Sequence, residues 1–373
     1  MPVASSRTIP SPTRRQADKI RVLVVDDSVV VRRLLTRMLS EEQGFEVVGT
    51  AASAESALSK LPLLTPDVMT LDINMPGMSG LELLPLLRAR FPKLRVLVFS
   101  GGSLSSAAST VDALMNGAAM FLMKPETDVS LPDASARFQL ELCEKLRLLC
   151  HTSTQLQRGS PPPPSLHSLA SSRPPRIPPS FKNREVLAIG VSTGGPTALA
   201  QLIAGLPHNF SLPVVIVQHM PPVFTRLLAE RIQHSTGFPT VEAADGMKLQ
   251  PGTAYLAPGD FHMRLTRAGT EVLIRLDQGP QECSCRPAVD VLFRSVAEVY
   301  GGNTIATILT GMGQDGLRGS ESLVRQGAHL IAQDEATSVV WGMPGAVTQA
   351  GLVHESLPLQ EIAGAILRQV RGR

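Results

Sequence analysis

The chain has 373 residues, which is long enough for two ordinary domains that each bury a core of their own. Hydrophobic residues make up 43% of it and charged residues 18%, a composition typical of globular proteins that excludes a largely disordered chain. The formal net charge of +3 is small, and no concentrated basic stripe of the kind that binds nucleic acid is present. We therefore expect no nucleic-acid partner.

Neither a leader nor a membrane anchor is visible in the sequence. The N-terminal segment has no apolar run, and no stretch approaches the roughly 20 apolar residues of a membrane span. We therefore expect a cytoplasmic protein without direct membrane insertion. Of the four cysteines, Cys283 and Cys285 are closest in sequence, but one intervening residue does not match a zinc pair. Reduced thiols are the prediction.

The first half of the chain contains a flexible extension and a predicted domain. Residues 1–19 are polar and contain three prolines, which is typical of a mobile terminus. From Ile20 onwards, short apolar runs alternate with helical patterns in five strand–helix units. Near-continuous apolar strands of this kind predict a doubly wound α/β domain with a parallel sheet over residues 20–150.

The second half begins with a predicted linker. Residues 151–183 are rich in proline and serine and hold too few large apolar groups to fold, so a semi-extended spacer is expected. Strand–helix alternation then resumes, and residues 184–373 are predicted to form a second, mostly parallel α/β domain. The stretch between His234 and Asp277 is more hairpin-like, with glycines at predicted turns.

Polar residues collect where the strands of the first predicted domain end. Asp26 and Asp27 follow the first strand and Asp72 ends the third, while Ser100 ends the fourth and Lys124 follows the fifth. Clustered carboxylates favour Mg²⁺, and a carboxylate beside that ion can attack a phosphoryl donor. A helix N-cap is the alternative for the first aspartates alone, but five such residues at one sheet edge favour phosphoryl chemistry.

These residues lie in the motifs VLVVDDS, LDINMPGMSG and FLMKP, which resemble the response-regulator receiver family over nearly all of residues 20–128. The resemblance implies a flavodoxin-like fold in which Asp72 accepts the phosphoryl group, while Ser100 and Lys124 sense it. It also implies a Mg²⁺ site, whose expected ligands are Asp26, Asp27, Asp72 and the backbone carbonyl of Asn74.

A glycine-rich turn opens the second predicted domain. Ser192 lies in the G-x-S-x-G pattern of residues 190–194, between a strand and a helix that begins near Pro196. Flanking glycines permit a sharp turn that exposes the serine Oγ, and the helix N-terminus offers N–H donors to an oxyanion. From the turn alone, a nucleophile and a phosphate cradle are about equally consistent, although no P-loop lysine follows.

His219 ends the next predicted strand, at the same sheet edge as Ser192. It could satisfy a backbone carbonyl, but opposite a serine turn it can act as a general base. A triad then needs a carboxylate, and five aspartates are candidates. They are Asp245, Asp260, Asp290, Asp315 and Asp334. Asp315 is favoured by its position in a glycine-rich loop directly after a strand.

Six further motifs of this domain resemble the catalytic domain of the chemotaxis protein-glutamate methylesterases, over nearly all of residues 184–350. They are IGVSTGGPTAL, VVIVQHMPPVFT, YLAPGDFHM, CRPAVDVLF, LTGMGQDGLRG and AQDEATSVVWGMPGA. The resemblance implies a Rossmann-like serine hydrolase with Ser192 as nucleophile, His219 as base and Asp315 as its orienting acid. The residues implied to line the site and supply oxyanion contacts are Thr193 and Met312.

The two resemblances together imply phosphorylation-regulated hydrolysis of glutamate methyl esters on methyl-accepting chemotaxis receptors. Specific glutamines would be deamidated by the same acyl-enzyme route. A chemotaxis histidine kinase would supply the phosphoryl group, and ester hydrolysis itself would need no cofactor. The alternatives are a receiver-controlled signalling scaffold and an esterase of a non-motility chemosensory pathway. A DNA-binding regulator would need a compact helix-turn-helix after the linker, which a sheet-rich domain does not supply.

Overall fold

The computed structural model describes residues 19–101, 103–124, 132–150 and 183–371. The predicted extension and linker, apart from Lys19 and Asn183, lie outside the described residues, so both stay predictions. Over the described ranges, none of the helices combines the length and apolar character that crossing a membrane requires.

The N-terminal domain is a parallel sheet with helices between its strands. The strands are β1 (Ile20–Val25), β2 (Phe45–Ala51), β3 (Val68–Asp72), β4 (Arg95–Ser100) and β5 (Met120–Met123). The helices are α1 (Val29–Glu41), α2 (Ala54–Leu64), α3 (Gly80–Arg90), α4 (Leu104–Met115) and α5 (Pro132–Cys150). The strand order β2-β1-β3-β4-β5, parallel throughout, confirms the expected flavodoxin-like sheet.

Serine caps explain where four of these helices begin. The side chains of Ser28, Ser53, Ser79 and Ser103 each accept a hydrogen bond from a backbone N–H in the first turn of the helix that follows. Ser79 and Glu82 form a complete capping box. The strands all run parallel, so each loop between a strand and its helix lies at the carboxyl edge of the sheet.

The C-terminal domain is built on a seven-stranded parallel sheet with the order β14-β13-β12-β6-β7-β9-β8. Its strands are β6 (Val186–Val191), β7 (Val214–Gln218), β8 (Thr240–Glu242), β9 (Ala254–Leu256), β12 (Thr304–Ile308), β13 (His329–Gln333) and β14 (Glu355–Leu357). Its helices are α6 (Gly195–Ala204), α7 (Phe224–Thr236), α8 (Val289–Tyr300), α9 (Leu317–Arg325), α10 (Met343–Gln349) and α11 (Leu359–Arg371). The two-domain α/β architecture is thereby confirmed.

The predicted hairpin region is correct for only part of its length. Strands β10 (His262–Ala268) and β11 (Glu271–Asp277) form an antiparallel pair whose turn contains Gly269 at φ 63°. By contrast, β8 and β9 pair parallel to each other and extend the main sheet. Each is only three residues long, too short for an apolar pattern to distinguish parallel from antiparallel pairing.

The strand order creates a topological switch point beside β6. From β6 the chain continues to β7 on one side and later returns to β12 on the other side. Ligand sites in open α/β sheets lie at the carboxyl ends of strands where the order reverses in this way. The loops after β6, β7 and β12 carry Ser192, His219 and Asp315 respectively.

The two domains contact each other through α4 and β5 of the first and α6 and α7 of the second. Phe121 stacks on Phe224 with ring centroids 4.7 Å apart. Arg231 forms an ion pair with Asp112 at 2.9 Å, and the Thr197 hydroxyl donates a hydrogen bond of 2.6 Å to a backbone carbonyl of α4. This interface therefore lies on helices that flank the switch point.

Candidate active site and phosphoacceptor pocket

Backbone hydrogen bonds hold the turn that carries Ser192. The Ser192 N–H donates to the Thr310 carbonyl at 3.0 Å, and the Ser192 carbonyl accepts from the Gly195 N–H at 2.8 Å. Gly194 has a φ of 76°, in the left-handed region that glycine adopts without strain. The turn therefore holds Ser192, which is partly exposed, at the carboxyl edge of the sheet.

Gly195 is required for a different reason, because Gln218 packs directly against it. A Cβ atom at Gly195 would lie 1.8 Å from Gln218 Oε1. The Gln218 side chain donates from Nε2 to the Ser192 carbonyl at 2.9 Å. Close packing of a glycine and a glutamine thus fixes the start of α6 behind the serine.

Asp315 is held as a buried carboxylate at the start of α8. It accepts hydrogen bonds from the N–H groups of Val289, Asp290 and Gly316, at 2.6, 2.9 and 2.9 Å. His219 Nε2 lies 2.8 Å from Asp315 Oδ2. Burial raises the pKa of Asp315, but the bond to His219 and the backbone donors outweigh it, so the pKa is lowered. Asp315 is therefore equipped to orient His219 and to stabilise its charged form.

The four other candidate carboxylates bond elsewhere. Their partners are Arg275 for Asp245, Arg286 for Asp260, the Gly319 N–H for Asp290 and the Thr337 side chain for Asp334. Position after a strand, which favoured Asp315 in the sequence, thus agrees with the observed contact to His219.

The second nitrogen of His219 faces a residue that the sequence reasoning did not select. Cys285 Sγ lies 3.6 Å from His219 Nδ1. Within the described ranges, no hydrogen bond joins the Ser192 hydroxyl to His219. Burial lowers the pKa of His219, yet the contacts with Asp315 and Cys285 outweigh this and raise it to about 9. His219 is thus joined directly to Asp315, while Ser192 lies on the neighbouring strand end.

The two residues expected to supply oxyanion contacts differ in burial. Thr193 is buried, and its carbonyl accepts from the Thr310 hydroxyl at 2.9 Å. Met312, in the loop between β12 and α9, is 41% exposed. Of all the described groups, none accepts a hydrogen bond from the backbone N–H of Thr193 or of Met312. Both N–H groups are therefore available to a ligand.

The N-terminal domain has an acidic pocket at the carboxyl edge of its sheet. Carboxylate oxygens of Asp26, Asp27 and Asp72 all lie within 4.8 Å of one another, and Asp26 and Asp72 are buried. Lys124 Nζ lies 2.7 Å from Asp72 Oδ2 and 3.3 Å from Asp26 Oδ2. Burial raises the pKa of Asp26. Three clustered carboxylates share the single ammonium group of Lys124, so the donor set fits a hard cation.

The remaining predicted residues of this pocket lie nearby. Ser100 is buried, and its Oγ lies 2.7 Å from Thr110 Oγ1 on α4 and donates to the Gly101 carbonyl at 3.2 Å. The Asn74 N–H donates to Asp72 Oδ1 at 3.3 Å. The pocket is therefore linked to α4, the helix that contacts the second domain.

Comparison with known proteins identifies both halves of the chain. A family model described as CheB methylesterase matches residues 187–366, and one described as response regulator receiver domain matches residues 22–135. A protein of Trichodesmium erythraeum named protein-glutamate methylesterase/protein-glutamine glutaminase is 44% identical over 362 residues, which cover 94% of this chain and 99% of that protein. The chain belongs to the CheB methylesterase family.

A second curated relative aligns over nearly the whole chain, and a solved structure aligns with half of it. A protein of Rhodospirillum rubrum named protein-glutamate methylesterase/protein-glutamine glutaminase 1 is 41% identical over 388 residues, 99% of this chain and 98% of that protein. The crystal structure of the Thermotoga maritima CheB methylesterase catalytic domain has 42% identity and a TM-score of 0.49, covering 50% of this chain and 98% of that chain. Family membership confirms both predicted resemblances, while the roles of individual site residues and the domain bounds stay predictions.

Within this CheB family member, Cys285 is the site residue that sequence reasoning missed. It begins the CRPAVDVLF motif, four residues before Val289, whose N–H group binds Asp315. Its place in that motif is the signal that could have found it. The motif alone shows no catalytic spacing, so the contact becomes visible only in the fold.

Proposed function

We propose that this chain is a phosphorylation-regulated protein-glutamate methylesterase and protein-glutamine glutaminase acting on methyl-accepting chemotaxis receptors. The observation that carries the proposal is the convergence of Ser192, His219 and Asp315 at three adjacent strand ends, in a member of the CheB methylesterase family. Serine, imidazole and carboxylate, in this order along the chain and on neighbouring strand ends, are the groups that acyl transfer requires.

The reaction begins when Ser192 Oγ attacks the ester carbonyl and His219 takes the hydroxyl proton. Since Nε2 is engaged with Asp315, the proton goes to Nδ1, and the Asp315 carboxylate stabilises the resulting imidazolium. The N–H groups of Thr193 and Met312 receive the oxyanion.

Collapse of this intermediate expels methanol, which takes its proton from His219. Water then attacks the acyl-enzyme with His219 again as the base, which restores glutamate and free Ser192. A glutamine side chain follows the same route and releases ammonia, a poorer leaving group.

The receiver pocket is the proposed control site, with Asp72 as the acceptor of a phosphoryl group from a histidine kinase. Mg²⁺, when bound, would neutralise the charge of the incoming phosphoryl oxygens, and its proposed ligands are Asp26, Asp27, Asp72 and the Asn74 carbonyl. The Lys124 ammonium already pairs with Asp72, and burial opposes but does not outweigh the carboxylates that raise the pKa of Lys124. Lys124 therefore stays charged and can pair with the phosphoryl group.

Contacts between the domains support a route for control. The Ala119 carbonyl of the receiver accepts a hydrogen bond of 3.2 Å from the N–H of Gly194, in the turn that carries Ser192. On the same side, Ser100 contacts Thr110 of α4, and α4 contacts α6 and α7. A phosphoryl group that draws Ser100 towards Asp72 would release its contact with α4 and shift the population towards separated domains.

Methanol release from methylated receptor membranes tests the proposed activity. We expect Ser192→Ala to lower the rate at least about a thousandfold while leaving the fold intact, because the nucleophile is lost. Ser211→Ala is the matched control, since Ser211 is an exposed serine of the same domain, and its rate should equal that of the unchanged chain. Methanol release by Ser192→Ala at an undiminished rate would exclude Ser192 as the nucleophile, whereas no methanol release by the unchanged chain would favour a scaffold.

A further inference from the structure

A thiol, an imidazole and a carboxylate lie in line beside the serine turn. Cys285 Sγ is 3.6 Å from His219 Nδ1, and His219 Nε2 is 2.8 Å from Asp315 Oδ2. Cys285 and His219 are both partly exposed, so the line opens to solvent. A thiol beside an imidazole that is itself held by a carboxylate has the arrangement of an activated sulfur nucleophile.

The position of Cys285 is built by the local backbone. Glu282 and Cys285 exchange backbone hydrogen bonds of 3.1 and 2.8 Å across a two-residue turn. The turn residues, Cys283 and Ser284, have φ values of 50° and 60°, as a type I′ turn requires of its central positions. Arg294 of α8 binds Glu282 at 2.5 Å and anchors the turn. Cys285 is therefore fixed against His219 rather than carried on a free loop.

The other three cysteines lack this setting. Burial raises the pKa of the Cys143 thiol to about 11 and that of the Cys150 thiol to about 12. Cys283 is exposed, but desolvation and the charges of Asp315 and Asp290 raise the pKa of its thiol as well. These three thiols stay protonated near neutral pH and are poor nucleophiles.

We propose that Cys285 and His219 form a reactive thiol–imidazole pair that peroxide oxidises, and that this modification switches the esterase off. His219 Nδ1 takes the thiol proton, and the thiolate attacks one peroxide oxygen. The O–O bond breaks as the S–O bond forms, and the leaving hydroxide takes the proton from His219 to become water. Sulfur is oxidised from thiol to sulfenic acid while peroxide is reduced to water, and a thiol reductant reverses the change.

The inhibition follows from shared use of one nitrogen. In the proposed function, on which this consequence rests, the proton of Ser192 goes to the same His219 Nδ1 that Cys285 faces. An oxygen or a larger group on Cys285 Sγ occupies that space and bonds to the imidazole. Ser192 then has no base, and hydrolysis stops until Cys285 is reduced.

Selective labelling tests the pair without any need for esterase activity. The intact chain is treated with limiting iodoacetamide, and adducts at each cysteine are followed by mass spectrometry. We expect Cys285 to be labelled at least about tenfold faster than the more exposed Cys283, because Cys285 alone has an imidazole beside its sulfur to take the thiol proton as the sulfur reacts. His219→Gln should lower the rate at Cys285 alone, and Asp315→Asn provides a second variant. Faster labelling of Cys283, or a Cys285 rate that His219→Gln leaves unchanged, would overturn the pair.

The switch is tested by the ratio of methanol release after and before peroxide treatment. The ratio should fall at least about fivefold in the unchanged chain and in Cys283→Ser, and recover with a thiol reductant, while Cys285→Ala keeps a ratio near one. Loss of activity in Cys285→Ala as large as in the unchanged chain would refute the switch. An untreated chain that releases no methanol refutes the proposed function instead, and labelling at Cys285 still decides whether the reactive pair exists.

Discussion

At the scale of single residues, the site depends on how Asp315 keeps its charge in a buried position. Three backbone N–H groups and His219 satisfy its two oxygens. Two of those N–H groups begin α8, so the positive end of that helix also favours the carboxylate. The same charge is what allows His219 to hold a proton during acyl transfer.

Replacing Asp315 by asparagine removes this charge and keeps the shape of the side chain. We expect Asp315→Asn to lower methanol release by about 10³- to 10⁴-fold, because the imidazolium loses its partner and the imidazole its tautomer. Asp245→Asn is the matched control, since Asp245 pairs with Arg275 at the surface. A reduction of less than tenfold in Asp315→Asn would argue that another carboxylate serves His219.

The pKa of His219 predicts how the rate depends on pH. General-base catalysis needs the neutral imidazole, and the contacts with Asp315 and Cys285, opposed by burial, raise its pKa to about 9. The neutral fraction therefore grows with pH, and we expect kcat/KM for methanol release to rise between pH 6 and 9. Cys285→Ala removes one of the contacts that raise the pKa, so its rise should occur at lower pH. A flat profile over this range in the unchanged chain would contradict the assignment of His219.

The sequence could predict that Ser192, His219 and Asp315 lie at one sheet edge, because each follows an apolar strand and parallel strands bring their carboxyl ends together. It was not sufficient for Cys285. That residue reaches His219 because a turn precedes it whose two central residues, Cys283 and Ser284, have positive φ. Cysteine and serine rarely adopt this conformation, so the sequence does not predict the turn. The contact between Cys285 and His219 arises from the fold, and no motif spacing in the sequence indicates it.

At the scale of elements, the start of α6 is the most tightly constrained segment near the site. Gly194 supplies a left-handed φ and Gly195 supplies the absence of a Cβ atom, so Gln218 can reach the Ser192 carbonyl. The glycine-rich turn is recognisable from its pattern in the sequence. The need for Gly195 is not, because the contact with Gln218 joins two different strand ends.

Gly195→Ala tests this packing. The added methyl group would overlap Gln218 Oε1, so we expect a loss of at least about 1 kcal/mol in stability and a lower rate of methanol release. Gly364→Ala is the control, since Gly364 is exposed on α11 and a Cβ atom there meets nothing closer than 3.9 Å. That change should stabilise α11 by up to about 1 kcal/mol. Equal thermal shifts of the two variants would contradict the packing argument.

At the scale of the whole molecule, the receiver lies against the helices that flank the active site. Its interface joins residues far apart in sequence, such as Phe121 with Phe224 and Asp112 with Arg231. The motifs predicted both domains and the control of one by the other. They could not predict this interface, because an aromatic stack and a surface ion pair carry no spacing that links two separate domains.

The ion pair between Arg231 and Asp112 offers a mild way to loosen the interface. Both side chains are partly exposed, so the pair contributes no more than about 1 kcal/mol. We expect Arg231→Ala to raise methanol release without a phosphodonor by up to about fivefold, and to shrink the response to one. Arg226→Ala, which removes an arginine of α7 that pairs within its own helix, should change neither. An unaltered basal rate in Arg231→Ala would show that the pair does not hold the domains together.

The coupling of Asp72 to Ser192 is the central claim, and one measurement tests it most directly. Methanol release from methylated receptor membranes is compared with and without a small phosphodonor, for the intact chain and for Asp72→Asn. We expect the phosphodonor to raise the rate of the intact chain several-fold and to leave that of Asp72→Asn unchanged. An unchanged rate in the intact chain, with Asp72 shown to be phosphorylated, would contradict it.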